Sequence, residues 1–278
     1  MLLIGFLTVL SALAAVFNLS LTLADLWVLP LTFLGTFLGG VVTVFILVLI
    51  MAFTVDMKGP FEKDDKFYRF VLEQVVDAVM FLMRVRVTTS GLEKTPGEGR
   101  FLLVCNHRND VDPVVLLSYF KKHDLAFISK RENDVKPVIG PFLRKIMCQP
   151  INRENDREAL KTILKCIQLI KEDRHSVAVF PEGYVYDDLK LHRFRNGVFK
   201  IAQKAGVPIV VCTLRGTPEV FGNMRKLKPS HLELRLLDVI SAEDVKAHKH
   251  LKADCPRVAL QDLSGETFLL LKRGNDMY

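Results

Sequence analysis

The chain has 278 residues, half of them apolar, with 38 Lys and Arg against 31 Asp and Glu for a formal charge of +7. That length allows one full domain with a buried core and something more. The basic balance suits an anionic membrane surface or phosphorylated ligands, with a merely solvated basic surface as the bland alternative. No nucleic-acid-binding motif accompanies the charge, which argues against nucleic acid as a partner. The five cysteines, Cys105, Cys148, Cys166, Cys212 and Cys255, include no CxxC pair. They read as core filler rather than a disulfide framework, and no His or Cys cluster has metal-ligand spacing.

From Met1 to Val55 the sole formal charge is Asp25, which divides an uncharged run of 24 residues from one of 30. A bilayer crossing takes about 20 apolar residues, so each run is long enough. The pattern predicts a membrane-anchoring transmembrane helical hairpin over residues 1–57, turning near Asp25 and Pro30. A cleaved signal peptide is the alternative for the first run. Against it stand the missing basic n-region, the lack of a clear small-residue cleavage site and the second apolar run that follows. Gly35 and Gly39 form a small-xxx-small pair of the kind that lets helices approach closely. Beyond Val55 the chain carries 38 basic and 30 acidic residues, a formal +8. Basic loops stay on the cytoplasmic side, which places residues 58–278 there, and with two spans the N-terminus too. The chain is thus read as an integral protein of the cell membrane.

A polar linker with Gly59 and Pro60 runs from Lys58 to Asp65. A helix follows, because Phe67, Phe70, Val71, Val75, Ala78, Val79, Leu82 and Met83 recur at helical spacing, either to pack on the body or to lie in the membrane interface. Gly91 to Arg100 is a loop. Strands are predicted at Phe101–Cys105, Leu125–Ser129, Gln149–Asn152, Ser176–Phe180, Pro208–Thr213 and Leu232–Leu237. Between them lie helices near Pro113–Phe120, Pro137–Ile146, Glu154–Lys171 and Gly197–Ala205. The helix from Glu154 carries Leu160, Ile163, Leu164, Ile167 and Ile170 on one side. This alternation predicts an α/β fold, a largely parallel sheet covered by helices, with its site at strand ends. The last forty residues read as peripheral helices.

Chemistry concentrates where the first of these strands ends. His107 follows it, and Asp112 stands at the start of the next helix, where a carboxylate can reach back to an imidazole nitrogen, fix its tautomer and raise its basicity. No Ser or Cys is placed as a nucleophile, so the hydroxyl to be activated belongs to the substrate and transfer is direct. Lys130 and Arg153 each follow a strand, and two fixed cations beside a basic imidazole suit a phosphate-bearing acceptor. Glu182 and Gly183 sit in a turn after another strand, which suits close ligand approach.

Residues Asn106 to Asp112 resemble the first sequence block of the glycerolipid acyltransferase family, whose bacterial members include 1-acyl-sn-glycerol-3-phosphate (lysophosphatidate) acyltransferases. Gly140-Pro141-Phe142 through Arg153 resembles the second block, with Lys130 matching the lysine that commonly precedes it. Phe180-Pro181-Glu182-Gly183 resembles the third, and Gly206 to Val210 the fourth, which the family associates with the acyl-donor side. Phe194 and Gly197 fit the helix start after the third block. The resemblance covers about residues 85–240. It implies acyl transfer from an acyl-CoA or acyl-carrier-protein thioester to a lysophospholipid, with no cofactor. By the same resemblance His107 and Asp112 are catalytic, and Lys130, Arg153, Glu182 and Gly183 bind substrate. One departure stands out. The family usually continues Glu-Gly with Thr-Arg-Ser, and that arginine is linked to the acceptor phosphate, whereas Tyr184-Val185-Tyr186 follows here. Arg193 or Arg195 is a candidate substitute, and the departure motivates a second reading, a remodelling enzyme for another headgroup. A membrane lipid-binding protein without catalysis is the reading from a different class, with intact His107 and Asp112 against it.

Overall fold

The structure is a computed structural model that describes residues 2–17, 27–59, 64–186, 192 and 194–247. Among these, strands β1 (Val85–Ser90), β2 (Leu102–Cys105), β3 (Ala126–Lys130), β4 (Gln149–Ile151), β5 (Val177–Val179), β6 (Ile209–Arg215) and β7 (Ser230–Ile240) form one sheet. Their order is β1-β7-β6-β2-β5-β3-β4, and every neighbour pair is parallel except β6 with β7. The central strands β2 and β5 are buried along their whole length, as expected of parallel strands covered on both faces.

Side chains alternate across β2 and thereby divide the core. Leu103 and Cys105 face one side with Leu234 and Leu236, and Leu102 and Val104 face the other with Ile209 and Val211. The first side is covered by α3 (Lys66–Leu82) and α4 (Asp112–Tyr119), which contribute Val76, Met80, Val115 and Leu116. The second is covered by α7 (Asp156–Lys171), α8 (Phe199–Ala205) and Val245 of α10 (Ala242–Ala247). Two short helices, α5 (Arg131–Asp134) and α6 (Ile139–Lys145), connect β3 to β4, and α9 (Val220–Arg225) precedes β7. The helix starts are chemically marked: Asp65 accepts from the Phe67 and Tyr68 N–H groups, and Asn155 from those of Arg157 and Glu158.

All six predicted strands and the four predicted helices between them are present, while β1, α5 and α9 are additional. The face predicted for α7 is corrected. Ile163, Ile167 and Ile170 pack as predicted, whereas Leu160 and Leu164 are each 56% exposed and the packed side also takes in Cys166 and Leu169. The helix over α3 divides likewise. Val76 and Met80 pack on the sheet, whereas Phe67, Phe70, Phe81 and Leu82 stay exposed. The tail after Ala247 lies outside the described residues.

At the N-terminus, α2 (Val28–Phe53) is long and apolar enough to cross a membrane. α1 (Leu2–Phe17) has 16 residues, about 24 Å of helix against a hydrocarbon core of about 30 Å. The two helices pack together at Gly40, where a Cβ would stand 2.6 Å from Leu7 Cδ2; Gly35 and Gly39 meet nothing described within 4 Å. The close approach thus comes one residue beyond the predicted glycine pair. The C-terminal end of α2 is tied to the body through Tyr68, whose hydroxyl donates to the Met51 carbonyl at 2.9 Å.

Candidate active site

Strands β2, β3, β4 and β5 run parallel, so their C-terminal ends open on one side of the sheet, where ligands of such folds bind. At the end of β2, Asn106 replaces a strand residue's hydrogen bonds with those of its side chain. Its Nδ2 donates to the Leu214 carbonyl at 2.9 Å, and its Oδ1 accepts from the Leu214 N–H at 2.8 Å. The chain is thereby pinned to β6 at the point where it leaves the sheet.

His107 comes next. Asp112, the first residue of α4 and 0% exposed, turns Oδ2 toward it. That oxygen lies 2.9 Å from His107 Nδ1 and accepts the Arg108 and Asn109 N–H groups at 2.6 and 2.8 Å. A carboxylate at Nδ1 holds the ring proton there and leaves Nε2 with a lone pair, the form a general base needs. The five-residue spacing is what this closed turn requires. Behind it, the Phe180 ring stacks on the imidazole with centroids 4.1 Å apart and planes 16° from parallel.

Glu182, assigned to substrate binding from the sequence, is buried behind the cleft in the structure. It is 2% exposed and does not line the cleft. Its Oε1 accepts the His107 N–H at 3.0 Å and its Oε2 the His192 N–H at 3.2 Å. Burial raises its pKa, and the two N–H groups only partly offset that. Glu182 therefore ties the turn after β5 to the turn that carries His107. Gly183 does line the cleft; its φ is +80°, and a Cβ there would come within 2.8 Å of Arg195 Nε.

The cleft in front of His107 has a volume of about 710 Å³. Its apolar lining includes Leu72, Val75, Val114, Leu117, Phe142 and Leu143, together with Val48 of α2. Lys130, Lys136, Arg153 and Arg195 also line it. Lys130 pairs in register with Ile151 across β3 and β4, which brings it and Arg153 to adjacent strand ends. Tyr184 stands between the arginines: the Arg153 guanidinium is 4.6 Å and that of Arg195 5.4 Å from its ring centroid. Partial burial lowers the pKa of Arg153, which as a guanidinium stays charged.

The sequence-predicted residues thus converge, with His107, Lys130, Arg153 and Gly183 on the cleft and Asp112 and Glu182 behind it. Arg193 lies outside the described residues. Sequence reasoning gave no role to Asn106, Phe180 or Lys136. The first two stood inside the matched blocks, which was the available signal.

The acyltransferase family pattern matches residues 86–215. A chloroplastic 1-acyl-sn-glycerol-3-phosphate acyltransferase of Brassica napus is 31% identical over 173 residues, 62% of this chain and 49% of that protein. The 1-acyl-sn-glycerol-3-phosphate acyltransferase of Bacillus subtilis is 31% identical over 140 residues, 50% of this chain and 67% of that protein. The chain spans about half the length of the chloroplastic relatives it matches. Among solved structures, the PlsC lysophosphatidate acyltransferase of Thermotoga maritima superposes with a TM-score of 0.52 at 22% identity. That alignment covers 71% of this chain and 78% of the other, and it shows a shared fold.

Proposed function

The chain belongs to the glycerolipid acyltransferase family, and on that premise we propose that it transfers a fatty acyl group to the free hydroxyl of 1-acylglycerol-3-phosphate, giving phosphatidate for phospholipid synthesis. The donor is an acyl-CoA or acyl-carrier-protein thioester, and no cofactor takes part. His107 Nε2 accepts the hydroxyl proton as the oxygen attacks the thioester carbonyl. The tetrahedral intermediate collapses by breaking the carbon–sulfur bond, and the departing thiolate takes the proton from His107. Asp112 holds the imidazole throughout and balances its charge while it is protonated.

The observation that carries this reading is the His107–Asp112 pair, 2.9 Å apart, at a cleft whose lining combines apolar side chains with Lys130, Arg153 and Arg195. Such a cleft suits a lysophospholipid, with its phosphate at Lys130 and Arg153 and its acyl chain along Leu72, Val75 and Leu117. Positioned acid-base help contributes about a hundred- to ten-thousand-fold, and holding both lipids in register supplies much of the rest. The Val48 contact and the apolar helix that carries it support membrane association, and the basic body supports the cytoplasmic side.

The test is an acceptor panel with purified full chain in phospholipid vesicles, run with acyl-CoA and with acyl-carrier protein. Lysophosphatidate should exceed lysolipids with esterified headgroups by about tenfold or more in kcat/KM, the worth of one charge-assisted contact. Preference for a larger headgroup would favour the remodelling reading, for which the residues after Gly183 are the motive. Lipid bound with no thioester consumed would favour a non-catalytic binding protein.

A further inference from the structure

Lys130 and Arg153 are legible as a phosphate site in the sequence, whereas Arg195 stands there only as one of two candidate substitutes for a missing arginine. In the structure Arg195 is fixed from several directions. Its N–H donates to the Pro181 carbonyl at 2.9 Å, and its Nη1 donates to the Arg153 carbonyl at 3.3 Å. Its Nε crosses Gly183 where any larger residue would place a Cβ within 2.8 Å. Its guanidinium and that of Arg153 both lie within cation–π range of the Tyr184 ring. Among the described residues neither arginine has a carboxylate in ion-pair contact, and Glu132 is the acid whose charge acts on Arg153 from further off.

Two guanidinium groups on one ring repel each other, and the aromatic face offsets that only in part. An anion between them relieves the repulsion, and a more highly charged anion relieves more of it. A terminal phosphomonoester carries about −1.5 to −2 near neutral pH, against a single charge on a phosphodiester, and its three free oxygens suit two forked donors plus a lysine.

We propose that Arg153 and Arg195, braced by Tyr184 and by the space at Gly183, form a two-arginine clamp that with Lys130 selects an acceptor bearing a terminal phosphomonoester. This inference rests on the acyltransfer reading and names the residues that set its headgroup specificity. Tyr184 is a positioning residue in the clamp. The tyrosine after Gly183 therefore marks a rebuilt phosphate site, with its second arginine supplied twelve positions after that glycine.

The test measures steady-state transfer by the full chain in vesicles, with lysophosphatidate and with lysophosphatidylglycerol as acceptors and acyl-CoA as donor. Arg195→Gln should raise the KM for lysophosphatidate by about 10- to 100-fold, as expected for a charge-assisted contact. It should leave the donor KM unchanged and narrow the preference over lysophosphatidylglycerol. Tyr184→Leu should move the same parameters in the same direction, and Tyr184→Phe, which keeps the ring, should restore most of what Tyr184→Leu loses. A wild type that acylates lysophosphatidate while Arg195→Gln keeps its acceptor KM and its headgroup preference overturns the clamp and leaves acyl transfer standing. A wild type that prefers lysophosphatidylglycerol overturns the clamp and the lysophosphatidate reading together and leaves acyl transfer standing. A wild type that transfers to no lysolipid overturns both.

Discussion

Replacing Asp112 by asparagine separates what its charge does from what its shape does. In the structure one oxygen, Oδ2, serves three donors, at 2.6, 2.8 and 2.9 Å, while Oδ1 is buried with no partner among the described residues. In the Asp112→Asn variant the side-chain amide oxygen can keep the two backbone N–H groups, so the turn survives. What disappears is the negative charge opposite His107, which matters most when the imidazole has taken the hydroxyl proton. Opposite unit charges about 4 Å apart attract by about 4 kcal/mol at an effective dielectric of about 20. Each 1.36 kcal/mol is tenfold in rate, so Asp112→Asn should lower kcat by about a thousandfold. The assay is thiol release from acyl-CoA at saturating lysophosphatidate, with a thermal melt to confirm folding. Both KM values should change little, because the carboxylate touches neither lipid. A folded Asp112→Asn enzyme within about tenfold of wild-type kcat would refute the reasoning, since even modest acid-base help exceeds that. Asp112→Ala is a poorer probe. It leaves buried N–H groups unmet at about 1–3 kcal/mol each and confounds chemistry with stability.

Asn106→Ala removes both hydrogen bonds to Leu214 and leaves a buried N–H and carbonyl unmet, so chemical denaturation should show a loss of about 2–4 kcal/mol. Glu182 has a folded-state pKa raised above its ordinary 4.5. Its contribution is therefore fully present below that ordinary value and lost as pH rises through the raised one. Glu182→Gln should flatten this fall in a melt-versus-pH series. It should also lower kcat, because an amide oxygen and an NH₂ group cannot both accept the His107 and His192 N–H groups. Unchanged kcat together with an unchanged pH slope would remove Glu182 from the account.

Burial decided which strands could be read from the sequence. Leu102–Cys105 and Val177–Val179 are apolar on both faces and stand out as runs. β1 is an edge strand whose Arg86, Thr88 and Thr89 face solvent, and with two valines for a signal it resembles a loop. On α7 the apolar stripe is wider than the face that packs, so periodicity included Leu160 and Leu164 while Cys166 went uncounted. The His107–Asp112 pair was legible because both members sit on one strand-to-helix turn, five residues apart. Glu182 was not, because its carboxylate meets a backbone N–H 75 residues away. The Tyr184 platform is similar: its two arginines come from different loops, and only the folded chain sets them on one ring.

The central claim is that His107 activates a lipid hydroxyl toward a thioester, and the most direct measurement is product formation by wild type and His107→Ala in the same vesicles. Wild type should form one phosphatidate for each thiol released from acyl-CoA and lysophosphatidate. Folded His107→Ala should lose at least about a hundredfold of that rate. A folded His107→Ala protein that makes phosphatidate at close to the wild-type rate would contradict the account.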